Sequence, residues 1–145
     1  MTKAPKYWNK AKKYLSKKDT RMAKLIKNYQ GSSETILTSR KDIFFSLCKS
    51  IIGQQISVAA ANSVFLKFKK KCENKINPKK VSKLTFYQIK SCGLSRQKVL
   101  GIRSLAQKIL NKSFEPKLIK KMNDDEAIEY LSSLRQIGKW YAEMI

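Results

Sequence analysis

Apolar residues in this chain recur every three or four positions and nowhere alternate with polar ones over strand length, so its segments can bury a face only as helices. The clearest stripe is Ile43, Phe44, Leu47, Cys48, Ile51 and Ile52, which ends at Gly53 as a helix stop. A second runs through Val99, Ile102, Leu105, Ala106 and Ile109, with Ser95 as its cap. The expectation is an all-α, irregular multi-helix globule. At 145 residues the chain has the size of one domain, spanning 1–145 around one core. No solenoid repeat and no low-complexity segment is present.

The remaining elements follow from caps and breakers. A first helix after Pro5 carries Trp8, Ala11 and Leu15, and Asp19 caps a second with Met22, Leu25, Ile26 and Tyr29. Gly31, Ser32 and Ser33 then open a loop. Ser57 caps a helix whose Val58, Ala59, Ala60 and Ala61 permit close packing. The stretch from Lys69 to Lys83, with Pro78 and seven lysines, reads as a solvated connection that can also face a phosphate backbone. A short helix around Phe86 to Lys90 stops at Gly93, Pro116 marks a linker, and Asn123 with Glu126 forms a capping box that places Asp124 and Asp125 at a helix start.

Charge and residue types exclude whole classes of chemistry. Thirty-two Lys and Arg against ten Asp and Glu leave +22, which calls for a polyanionic partner, although an AT-rich coding bias toward Lys, Asn and Ile would raise the total as well. Without a single His there is no His triad, His-ligated metal or His general base. Cys48, Cys72 and Cys92 are too widely spaced for a zinc or iron–sulfur site, so neither metal nor cofactor is expected, and they fit reduced thiols, with Cys48 in the core. No apolar run reaches membrane length and Met1 to Lys18 does not read as a secretory signal; the expected place is inside the cell, in the cytoplasm, with the nucleoid or in the nucleus.

The segment 124–145 is where chemistry concentrates. Ala127, Ile128, Leu131 and Leu134 make an inward face, Arg135, Gln136, Ile137 and Gly138 break it, and helical pattern resumes from Lys139 to Ile145: helix, tight hairpin, helix. Such a turn points free N–H groups outward at the start of the second helix, where a phosphate can be held. Gly138 allows close backbone approach, Ile137 plugs the space between the helices, and Lys139 adds a point charge. That contact is indifferent to base sequence.

These residues resemble the helix-hairpin-helix DNA glycosylase superfamily, most closely its 3-methyladenine glycosylase II branch. Leu134 through Ile145 is similar to the hairpin motif. Asp42, Phe44, Leu47, Ile51 to Ser57 and Ala60 to Ala61 resemble a second segment, and Gly93, Leu94, Ser95, Lys98 and Leu105 to Ala106 fit between them in order. The resemblance implies a monomer that bends double-stranded DNA, flips a damaged base and hydrolyses the N-glycosidic bond of alkylated purines. It implies that Gln54 and Gln55, with Ser57, enter the minor groove and fill the gap in the stack, the alternative being hydrogen bonding within their own loop. It also implies that Gln136, Ile137, Gly138 and Lys139 grip the strand. Trp140 matches the family's pocket aromatic, suited to a cationic alkylated purine, against the alternative of core packing; Met144 either lines the same pocket or is core.

Two departures stand out. Gln136 occupies the place of the hairpin's first glycine, where a positive φ costs a side chain more. The family's catalytic Asp is expected in a Gly/Pro-rich loop roughly twenty residues past the hairpin, beyond Ile145, so no acid here is assigned to catalysis and the chain is expected to be incomplete at its C-terminus and inactive alone. Trp8, Leu15, Leu25 and Ile26 are then expected to form an exposed apolar patch. The competing reading is a non-catalytic helix-hairpin-helix DNA-binding protein. A basic ribosome-associated or membrane-surface protein explains the charge but not the Gly53 to Ser57 and Gly138 to Glu143 segments.

Overall fold

A computed structural model describes residues 4–31 and 42–145, and every regular element in them is helical. The chain divides into two compact units, Met1–Ser39 and Arg40–Ile145. In the first, α1 (Trp8–Lys18) runs into Asp19, whose carboxylate accepts from the amides of Arg21 and Met22 and so starts α2 (Thr20–Asn28). The two helices pack as a pair, yet neither has a fully buried residue. Trp8, Ala11, Leu15, Met22, Leu25, Ile26 and Tyr29 line a shallow apolar groove in which Leu15 and Leu25 are exposed and Trp8 and Ile26 half-buried. The expected apolar patch is thus present on this unit. Ser32 and Ser33 lie outside the described residues.

The second unit holds the core. α3 (Ile43–Gly53) starts at Asp42, which accepts from the Phe45 amide, and buries the expected stripe Phe44, Leu47, Cys48, Ile51 and Ile52. α4 (Val58–Lys71) begins at the Ser57 cap, α5 (Pro78–Ser82) at Asn77, α6 (Phe86–Lys90) at a Thr85–Gln88 capping box, and α7 (Arg96–Leu110) at Ser95. α7 is the central element, lying against α3, α5 and α6 with Val99, Ile102, Leu105 and Ala106 buried. Burying one such Leu, Ile or Phe side chain is worth about 1.5–3 kcal/mol, so the α3 and α7 stripes contribute a large share of the stability of this unit.

The lysine-rich stretch from Lys69 to Lys83 differs from the solvated connection expected of it. α4 continues through Lys71, Pro78 opens α5, and Cys72, Ile76 and Val81 are buried against the core. The lysines face water while three widely spaced apolar residues turn inward, so charge density concealed the buried side.

After α7 a 3-10 turn, Pro116–Lys121, leads to α8 (Asp124–Ser132), whose capping box forms as expected: the Glu126 amide donates to the Asn123 side chain and the Asn123 amide to the Glu126 carboxylate. Tyr130 fixes α8 in place by stacking on buried Phe114 at 4.8 Å between centroids and accepting from the Glu115 amide at 2.9 Å. The second helix of the hairpin, expected from Lys139 to Ile145, is the single turn α9 (Lys139–Ala142), followed by turn residues.

Candidate nucleic-acid interface

The hairpin between α8 and α9 is built on buried apolar anchors. Leu134, Ile137 and Ala142 are all sealed in the core, and the Ile137 amide donates to the Leu134 carbonyl at 3.2 Å, which closes the turn. The Ile137 side chain is buried at the turn where the sequence placed a plug, and, 2% exposed with its amide already bonded, the residue is not placed to meet a strand. Gln136 takes the left-handed conformation, φ +69°, that a glycine would adopt without cost. Gly138 is the N-cap of α9, with φ −84°, and it has no side-chain cap. A Cβ added to it would meet no protein atom within 4 Å, so neither backbone conformation nor packing asks for glycine there. The open side of Gly138 is room for something outside the protein. A one-turn helix has little macrodipole, so what the start of α9 offers is its uncapped amides alone.

Lys139 is exposed, and Trp140 and Met144, one turn apart, are each 70% exposed. Core packing of either side chain is thereby set aside within this chain. Their apolar surfaces form an open wall beside the hairpin rather than an enclosed pocket. A cleft of about 550 Å³ lies elsewhere, among Ile43, Phe44, Pro78, Ile109 and Pro116.

The loop that follows α3 reaches the same hairpin. Gln54 donates its side-chain amide to the Gln136 carbonyl, whereas Gln55 is exposed with φ +56° at the loop's tip. The structure thus divides the pair that the sequence treated alike: Gln54 bonds between loops and Gln55 projects. Ser57 spends its hydroxyl on the Ala60 amide as the α4 cap, and the flanking Ile56 and Val58 stand exposed. Beneath the loop the Lys98 ammonium donates to the carbonyls of Ile52, at 2.9 Å, and Gln54, at 2.7 Å. Those are carbonyls at the end of α3, which a cation suits, and partial burial lowers the lysine's pKa from its ordinary value.

Two contacts tie the hairpin to α7. The Arg135 guanidinium donates to the Gln97 side chain at 2.8 Å. At Gly101, a Cβ would sit 2.9 Å from Gln136 Cγ and 3.2 Å from its Cβ, so the helix can approach the turn this closely only as glycine. The sequence places Lys98 and Ile56 within matching segments, Arg135 in the hairpin break and Val58 at a helix start, without a site role for any of them, and Gly101 is not singled out. A glycine in the middle of a strong helical stripe was the one available signal for Gly101.

Four of the acids have structural partners. Asp19, Asp42 and Glu126 cap helices, and Glu73 pairs with Lys80, which holds its carboxyl below the usual range. Among the described residues no group of His, Cys, Asp or Glu is arranged to hold a metal, and no helix is long and apolar enough to cross a membrane.

Comparison with known proteins gives this geometry a context. Residues 48–140 match the family model described as HhH-GPD superfamily base excision DNA repair protein. The chain is 28% identical over 128 residues to DNA-3-methyladenine glycosylase 1 of Schizosaccharomyces pombe, covering 86% of this chain and 55% of that protein. It is 30% identical over 155 aligned positions to DNA-3-methyladenine glycosylase of Saccharomyces cerevisiae, covering 94% of this chain and 51% of the relative. In structure it is similar to S. pombe 3-methyladenine DNA glycosylase in complex with abasic DNA, with a TM-score of 0.80 at 25% identity over 93% of this chain and 67% of that one. The chain spans about half the length of the two curated relatives.

Proposed function

We propose, for a chain that belongs to the HhH-GPD superfamily of base excision DNA repair proteins, that it grips damaged double-stranded DNA and presents a flipped alkylated purine for hydrolysis of its N-glycosidic bond. The observation that carries this reading is Gly138: a glycine needed by neither fold nor conformation, open to solvent, at the uncapped start of α9 beside exposed Lys139 and Trp140. A phosphate fits against those amides, with Gln136, Gly138 and Lys139 on one strand. Gln55, projecting from its loop, is assigned to the gap that the extruded nucleotide leaves, with Gln54 and Ser57 shaping the loop behind it. The Trp140 ring supplies a face on which a cationic purine stacks, and Met144 extends that surface.

No carboxylate of this chain is assigned to the bond-breaking step. The protein acts as a monomer, at the DNA, and uses no cofactor. The relatives' names favour this reading over a non-catalytic binding module. The test is twofold. Incubated with methylated duplex, the protein and its abasic-site yield report excision. Titrated against duplex containing a stable abasic analogue, the chain should prefer it to unbroken duplex, with affinity falling steeply between low and physiological salt as counterions are released. Salt-independent binding with no preference for the abasic duplex would overturn the assignment.

A further inference from the structure

We propose that α7 is the spacer that fixes the wedge loop relative to the strand-gripping hairpin, with Lys98 and Gly101 as its two positioning residues. The inference rests on the function proposed above and goes beyond it by naming what sets the distance between its two parts. Lys98 and Gly101 are three residues apart, on one face of α7 and about 4.5 Å apart along its axis. Lys98 binds the backbone of the Gln54 loop through the Ile52 and Gln54 carbonyls. Gly101 receives the side chain of Gln136. The Gln54 side chain then closes the triangle by donating to the Gln136 carbonyl. Gln55 follows Gln54 directly, and Gly138, the N-cap before the uncapped amides, lies two residues beyond Gln136, so both proposed DNA contacts begin within two residues of a point fixed on the same helix.

Gly101 and Gln136 are interdependent. A side chain in the left-handed turn position is accommodated because the facing helix has none, and a glycine at position 136 would release position 101. With the Gln136 side chain removed, what remains near an alanine Cβ at 101 is the Arg135 carbonyl at 3.5 Å, an ordinary contact. Alanine is also the better helix former.

The experiment uses the whole chain and five variants, read by melting temperature, by the preference for abasic-analogue duplex over unbroken duplex, and by the salt dependence of binding to the unbroken duplex. Gly101→Ala should lower the melting temperature and reduce the preference about tenfold. In a Gln136→Gly background, Gly101→Ala should lower neither the melting temperature nor the preference any further. Lys98→Met should reduce the preference without changing the salt slope, because its ammonium faces the loop's carbonyls and not a phosphate, and Gln136→Gly should not rescue it. Full preference in Gly101→Ala, strictly additive effects in the double variant, or a reduced salt slope in Lys98→Met would each overturn the proposal. If the unaltered chain shows no preference, the functional reading fails first and takes the spacer with it; a preference retained by every variant sinks the spacer alone.

Discussion

Gln54 donates its side-chain amide to the backbone carbonyl of Gln136, joining two loops that are 82 positions apart in the chain. A carbonyl in a left-handed turn, near the surface but partly covered, has gained a partner that water would otherwise supply. Gln54→Glu replaces the donor with a carboxylate facing that oxygen, and should cost about 1–3 kcal/mol of stability. Its neighbour should behave in the opposite way. Gln55→Gly relieves a left-handed residue while adding freedom to the unfolded chain, so stability should hold within about 0.5 kcal/mol. Yet the preference for abasic duplex should fall, because the projecting side chain is gone. Denaturant melts and DNA titrations of the two variants check this; equal destabilisation by both would return Gln55 to a loop-bonding role.

The fold was legible wherever a helix carried a stripe and a cap. Asp19, Ser57, Ser95 and Asn123 each accept from the backbone at a helix start as their sequence positions imply, since capping is a local interaction between neighbours in the chain. The buried side of the stretch from Lys69 to Lys83 is not legible in the sequence because its inward residues, Cys72, Ile76 and Val81, are outnumbered by lysines and fall at the end of α4, in the link after it and in α5, where no single period applies. In the candidate site, the hairpin and Trp140 could be found from local pattern plus resemblance. The division of labour between Gln54 and Gln55, the fit of Gly101 to Gln136 and the grip of Lys98 could not, because each is a contact between elements whose relative placement no local pattern encodes.

Trp140 gives the site a built-in reporter. The chain has two tryptophans, so a Trp8→Phe variant emits from Trp140 alone. With the indole 70% exposed, that variant should emit as a solvent-exposed tryptophan and be quenched on binding abasic duplex. Trp140→Ala should cost no more than about 0.5 kcal/mol of stability, as expected away from the core. Emission typical of a buried indole and indifferent to DNA would remove Trp140 from the base-stacking surface.

The three thiols give the core an alkaline limit. Burial pushes all three up from their ordinary value, with Cys72 moved from 9.0 to about 11. In the window between those values the native Cys72 keeps its proton while the unfolded chain releases it, so the native state binds more protons and stability must fall as pH rises. Below pH 9.0 the contribution is fully present; it is lost progressively up to about 11. Lysine neutralisation acts over the same range but is shared by a Cys72→Ala variant. Urea melts from pH 8 to 11 should therefore show a shallower alkaline decline in the variant, and parallel curves would mean that Cys72 is not protected from ionisation in the folded state.

Gly138→Ala is the substitution that separates a glycine kept for the fold from one kept for a ligand. At φ −84° alanine is unstrained, an added Cβ meets nothing within 4 Å, and the methyl sits at a helix cap where alanine and glycine differ by about 1 kcal/mol or less. The melting temperature should barely move. A phosphate resting against the following amides, however, would lie where that methyl projects, and affinity for any duplex, broken or intact, should drop severalfold with the salt slope reduced by about one phosphate contact. This differs from Gly101→Ala, where the obstruction is Gln136 itself, the melting temperature falls, and the loss in binding is confined to the abasic preference. Gly138→Ala binding DNA as tightly as the unaltered chain would show that no strand approaches the hairpin at this point.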